Sequence, residues 1–207
     1  MSSNHISGFD LQAAMQSPLH HFSLVEKQEP ISDSKGVWAN ELPLLGYISL
    51  RGNAQNAAFT KAAKSALGKS LPTLPCSLVN TTTGGIYWLA PDEWLIVCER
   101  AKRADLQQKL AAALTGSHSQ VVDNSGGFTS VLLQGRNASD VLSHCTVYDL
   151  HALTTGKFVG TTFGKSSLFL HRNNTGYTLI FRRSFADYIW RYLVLAAAPY
   201  GFGIAMI

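Results

Sequence analysis

Apolar positions along this chain recur with two periods, and the same succession of periods occurs twice. The segment Ile48-Ser49-Leu50 runs into Arg51-Gly52-Asn53-Ala54, and Val131-Leu132-Leu133 runs into Gln134-Gly135-Arg136-Asn137-Ala138. Each reads as a short apolar strand ending in a glycine turn. A helical pattern follows in both: Ala57, Ala58, Phe59, Ala62, Ala63 and Leu67 in the first, Ala138, Val141, Leu142 and Cys145 in the second. Two apolar runs come next. Residues 86–89 and 93–98 flank Ala90-Pro91-Asp92, and residues 167–170 and 177–181 flank Arg172-Asn173-Asn174-Thr175-Gly176. Pro-Asp and Asn/Gly sequences of this kind close hairpins. A second helix ends each unit. One spans about residues 104–114, with Leu106, Leu110 and Leu114 on one face. The other starts from Ser184 as N-cap and runs to about residue 198, with Phe185, Ile189, Tyr192 and Leu193 at helical spacing.

The expected fold class is therefore α+β: two pseudo-repeated strand-helix-strand-strand-helix units, with antiparallel sheets packed on helices. Residues 1–40 carry little periodicity and read as an extended N-terminal arm anchored by Leu19, Phe22, Leu24 and Val25. Residues 41–118 form the first unit and 119–207 the second, both within one compact domain. Residues 121–127 supply a strand and turn at the join, and the apolar tail from Gly201 to Ile207 is expected to tuck against this domain or a partner.

Composition narrows the function classes. Apolar residues make up 46% and charged residues 14% of the 207, a balance that excludes a disordered chain. The net charge of +4 is spread over Lys61, Lys64, Arg100, Lys102, Arg103, Arg182 and Arg183 among others, with no run dense enough for nucleic acid. Three cysteines (Cys76, Cys98 and Cys145) form no C-x-x-C pair and argue against a disulfide framework. Cys98 lies in an apolar run and reads as a buried small hydrophobe. No signal peptide is legible, and the longest apolar run, ending at Pro199 and Tyr200, is too short for a bilayer. A cytoplasmic protein without membrane contact is expected, in which the N-x-S/T triplets at Asn80, Asn137 and Asn174 carry no sugar.

Catalytic and cofactor motifs are absent: there is no G-x-G-x-x-G, G-x-x-x-x-G-K-[ST], G-x-S-x-G or H-E-x-x-H. The histidines, His5, His20, His21, His118, His144, His151 and His171, have no metal-ligand spacing. Asp92 and Glu93 read as paired carboxylates for acid–base work or, preferably, as part of a tight turn beneath Trp88 and Trp94. Asp123, with Ser125, Gly126 and Gly127, reads as a turn cap or as a small polar-ligand site. No catalytic, cofactor-binding or metal residue is assigned. The aromatic set (Trp38, Tyr47, Tyr87, Trp88, Trp94, Phe158, Phe163, Tyr188 and Trp190) exceeds what a core of this size needs. Trp190, Arg191 and Phe202 are the candidate partner interface, since Trp and Arg are enriched at such surfaces.

Several segments together resemble one family. They are Ser17-Pro18-Leu19, Ser49-Leu50-Arg51-Gly52, Leu67-Gly68 with Leu71-Pro72, and Trp88-Leu89-Ala90-Pro91-Asp92-Glu93-Trp94-Leu95. Val122-Asp123-Asn124-Ser125, Tyr148-Asp149-Leu150 and Arg183-Ser184-Phe185-Ala186 complete the set. In this order they resemble the gamma subunit of heterotetrameric sarcosine oxidase, with Ala90 where that family usually has Gly. The resemblance implies a fold similar to the folate-binding domain of aminomethyltransferases. It implies alpha, beta and delta partner subunits that hold FAD, FMN, NAD, tetrahydrofolate and zinc, in an assembly oxidising sarcosine to glycine with one-carbon transfer to tetrahydrofolate. The chain itself is then a non-catalytic subunit acting in assembly and stability. The alternative is a stand-alone folate-binding, aminomethyltransferase-like protein, for which Asp123 is the one plausible pterin partner. The K-G-C-x-x-G-Q-E segment of folate-dependent repair proteins is missing, and Gly156-Lys157-Phe158-Val159-Gly160 does not match it.

Overall fold

The structure, a computed structural model, describes residues 16–82 and 84–207. In chain order the strands and helices are β1 (Gln28–Glu29), β2 (Val37–Glu41), β3 (Leu45–Gly52), α1 (Ala57–Leu67), β4 (Leu78–Thr81), β5 (Gly84–Ala90), β6 (Glu93–Glu99), α2 (Arg103–Ala113) and β7 (Ser119–Asp123). They continue with β8 (Phe128–Gln134), α3 (Ala138–Cys145), β9 (Phe158–Phe163), β10 (Ser166–Arg172), β11 (Gly176–Arg182), α4 (Ala186–Ala197) and β12 (Phe202–Ala205).

These strands make two sheets, one in the order β4-β5-β6-β3-β7 and one in the order β1-β12-β2-β8-β11-β10-β9. The inner strands alternate between two cores. In β6, Leu95 and Val97 face the second sheet, while Trp94 and Ile96 face α1 and α2. In β11, Ile180 faces the first sheet, while Leu179 and Phe181 face α3 and α4. A strand covered on both faces favours apolar residues at successive positions, which is why residues 94–98 read as one continuous run. The layers are therefore helices, sheet, sheet, helices. Tyr47, Tyr87, Phe128 and Phe158 fill the middle layer from both halves of the chain.

The structure departs from the sequence reading in four places. Much of the supposed arm is sheet: β2 is an inner strand with Val37, Trp38 and Ala39 buried, and β1 lies beyond β12. Leu19 and Leu24 do anchor the preceding turns, whereas Val25 stays 82% exposed; His5 and the rest of residues 1–15 lie outside the described residues. Second, the larger sheet is mixed rather than antiparallel, because β12 runs parallel to both β1 and β2. The cause is topological. A helical crossover returns the chain in the direction it left, so β7 after α2 and β12 after α4 each run parallel to the strand before that helix. β7 lands beside β3 and pairs antiparallel. β12 meets β2 instead, inserted between it and β8, and the pairing flips to parallel. Third, edge strands β4 and β9 went unread, since their outer flank carries no ladder and their alternation is interrupted by polar residues and Gly160. Fourth, residues 183–185 form a 3-10 turn, and Ser184 makes no cap bond to α4.

The chain passes between sheets at the turn 124–127, inside the expected join of residues 121–127, and β7 belongs to the first sheet. The two aligned turn glycines are needed for different reasons. Gly135 has φ of 107°, and a Cβ there would stand 2.4 Å from the Gly36 carbonyl oxygen. At Gly52 the backbone is ordinary, but a Cβ would meet the Phe59 ring at 2.3 Å.

Candidate functional site

The tightest gathering of sequence-predicted site residues is on the outer side of the larger sheet, around α4. Ala186, Ile189, Trp190, Leu193 and Ala197 point inward at helical spacing. The opposite face presents Asp187, Arg191, Val194 and Leu195. Two short 3-10 turns, His20–Phe22 and Val25–Lys27, lie along this face. His21 Nε2 stands 2.9 Å from Asp187 Oδ1, and Arg191 Nε donates to Asp187 Oδ2 at 2.8 Å. The hydrogen bond from Arg191, then that with His21, holds the Asp187 carboxyl below its usual range. The Arg191 guanidinium also sits over the Phe22 ring, 5.1 Å from its centroid. Phe22 and Phe202 approach the Trp190 ring at 6.1 and 5.8 Å.

Between these turns, α4 and β12 runs an open groove of about 640 Å³. Trp190, Arg191 and Phe202 all line it. Their status differs. Trp190 is only 3% exposed and belongs to the core, so its ring forms the groove floor rather than a projecting anchor. Arg191 is exposed and Phe202 half-buried. Leu195, which the sequence reading passed over, is 72% exposed and lines the same groove with Val194 and Ile204. Apolar residues on more than one face of a helix were the available signal.

The other candidates are held in internal contacts. Asp92 sits in the β5–β6 turn, where Arg51 Nη2 donates to its Oδ2 at 3.2 Å and Arg51 Nε lies 3.8 Å from Glu93 Oε2. Asp123 caps its own turn: its Oδ1 accepts from the Ser125 backbone N–H at 2.9 Å and from the Ser125 hydroxyl. Arg103 Nε lies 3.2 Å from Asp123 Oδ2, an ion pair whose N–H is not aligned as a hydrogen bond. Partial burial works to raise the Asp123 pKa, but the Ser125 bonds and the Arg103 and Arg100 charges outweigh it and hold the carboxyl low. Asn124 rather than Asp123 reaches the small cavity of about 160 Å³ between the sheets.

The remaining histidines are scattered. His118 lies at the far rim by Arg51, His144 at the end of α3 stands 3.5 Å from the Tyr200 hydroxyl, and His171 packs edge-on to Tyr87. No three His, Cys, Asp or Glu side chains among the described residues gather as a metal site would require. All three cysteines are free thiols, and Cys98 and Cys145 are buried. Among the described residues no helix is long and apolar enough to cross a membrane.

Comparison with known proteins fits this architecture. The sarcosine oxidase subunit gamma of Arthrobacter sp is 29% identical over 163 residues, 76% of each chain. That of Corynebacterium sp. (strain P-1) is 26% identical over 204 residues, 97% of each chain. Among solved structures, the heterotetrameric sarcosine oxidase from Corynebacterium sp. U-96, in complex with pyrrole 2-carboxylate, shares the fold with a TM-score of 0.81. Its matched chain is 23% identical, with 90% of this chain and 96% of that one covered. The glycine cleavage system aminomethyltransferase T from Bartonella henselae matches with a TM-score of 0.62 at 13% identity, over 85% of this chain and 51% of that one. The family model described as sarcosine oxidase, gamma subunit family, matches residues 51–199, and the chain belongs to that family.

Proposed function

We propose that this chain is the gamma subunit of a heterotetrameric, flavin-dependent sarcosine oxidase and that it works by binding its partner subunits rather than by catalysis. The observation that carries this reading is membership of the gamma subunit family over residues 51–199. The chemistry of the carboxylates supports the binding role. Asp92 and Glu93 tie a hairpin to Arg51, and Asp123 closes the turn between the two sheets. These groups do structural work, while the groove beside α4 leaves apolar surface in water, the usual mark of a docking face. Trp190, Arg191 and Phe202 are the residues of this chain assigned to the partner interface.

In this reading the alpha, beta and delta subunits hold FAD, FMN, NAD, tetrahydrofolate and zinc, and the assembly converts sarcosine to glycine while passing the one-carbon unit to tetrahydrofolate. The gamma chain stabilises that assembly. We further read the two halves as a pseudo-repeat, supported by the matching strand orders β4-β5-β6-β3 and β9-β10-β11-β8.

The test is co-expression of the tagged chain with the other subunits. Recovery of a complex with flavin absorbance, together with a flavin-free chain when it is expressed alone, is the expected result. A chain that stays apart from those subunits and binds tetrahydrofolate by calorimetry would refute the proposal in favour of the stand-alone folate protein.

A further inference from the structure

We infer that the groove between α4, β12 and the 3-10 turns of residues 20–27 receives an amphipathic helix of a partner subunit, with a carboxylate side chain flanking its apolar face. The inference rests on the subunit reading and adds to it the site and the chemistry of its occupant.

Strand addition to β12 is excluded. β12 is already paired on both sides, with β1 and β2, so it has no free edge for a further strand. The walls are side chains: Val194 and Leu195 from α4, Phe202 and Ile204 from β12, and Phe22 and Leu24 from the turns. An apolar trough of about 640 Å³ lined by side chains suits a helix that inserts its own side chains at i, i+3, i+4 and i+7.

The charge supplies the second element. The charged residues lining the groove are Lys27 and Arg191, and both are cations. Lys27 Nζ donates to the Phe22 carbonyl at 2.8 Å and has no carboxylate partner among the described residues. Arg191 spends its Nε on Asp187, whose single charge is shared with His21. Its other N–H groups remain for a second carboxylate, which a guanidinium accepts readily. A second copy of this chain docked groove to groove would bring the same cations together and be repelled, whereas an acidic-flanked helix is attracted to both.

The experiment measures binding of the full-length chain to the purified remaining subunits, with Leu195→Asp, Lys27→Glu and the control Leu74→Asp. Leu195 and Leu74 are 72% and 69% exposed, and Leu74 does not line the groove, so neither change disturbs the core. Unchanged melting temperatures of the isolated variants verify this. Leu195→Asp is expected to weaken binding about ten- to a hundredfold, the loss that follows from leaving one aliphatic anchor unburied. Lys27→Glu is expected to weaken binding and flatten its salt dependence, and Leu74→Asp to bind as the parent does. A photocrosslinker at position 195 should attach to a partner peptide bearing Asp or Glu beside apolar residues. Parent-like binding by Leu195→Asp, or a crosslink to a second copy of this chain, overturns the groove assignment while leaving the subunit reading intact. Failure of the parent chain itself to bind overturns the subunit reading, and is seen before any variant is compared.

Discussion

Replacing Trp190 by alanine separates the two roles that its position on α4 allows. The side chain is 3% exposed, packed between Phe22 and Phe202 and against the core beneath α4. Truncating a buried Trp typically costs about 3–5 kcal/mol through lost transfer energy and the cavity left behind. For a chain of this size, each kcal/mol lowers the melting temperature by about 2–4 °C. Trp190→Ala should therefore lower the midpoint of the isolated chain by about 6–20 °C, with Trp190→Phe falling in between. Far-ultraviolet circular dichroism on heating is the right assay, because it does not depend on the fluorophore removed. Loss of assembly in this variant would follow from loss of fold. An unchanged midpoint with assembly weakened would instead make Trp190 a projecting anchor and not a core residue.

Other consequences are as direct. Gly135→Ala forces a Cβ against the Gly36 carbonyl in a left-handed backbone conformation, and should destabilise the chain by about 1–3 kcal/mol in urea titration. The Asp123 carboxyl has a folded-state pKa below its ordinary 3.8, so its stabilisation is present above that value and lost as pH falls through the lower folded-state value. Asp123→Asn should accordingly be less stable than the parent at pH 7, and the difference should shrink on acidification. Burial raises the Cys98 thiol and pushes Cys145 up to about 11. Iodoacetamide at pH 8 should thus modify the partly exposed Cys76 first, with the other two labelled only on unfolding, as read by peptide mass spectrometry.

The hairpins, the four helices and strands β3, β5, β6, β8, β10 and β11 were legible because each is a local pattern. Pro91-Asp92 and Asn173 to Gly176 carry their turns in their own chemistry, and residues 94–98 are apolar throughout because both faces of β6 are covered. Edge strands β4 and β9 were not, since a strand paired on one side and half in water needs no strict alternation. The candidate site was legible only in part. Trp190, Arg191 and Phe202 do line one groove, but Leu195 was missed and Trp190 proved to be floor rather than anchor.

By itself, the chain's sequence determined its α+β class, the order of helices and hairpins in each half, the absence of standard catalytic motifs and the likeness to one family. Each of these depends on neighbours a few residues apart. The tertiary structure decided what depends on distant ones. β2 inserts between β8 and β12 and turns an antiparallel edge into a parallel one. His21 reaches Asp187 across 166 positions of sequence, and in doing so brings the N-terminal turns over α4 and shapes the groove. Local periodicity states which face of an element is apolar. Only the packing of elements brought together from far apart in the chain states which apolar face is covered and which is left for a partner.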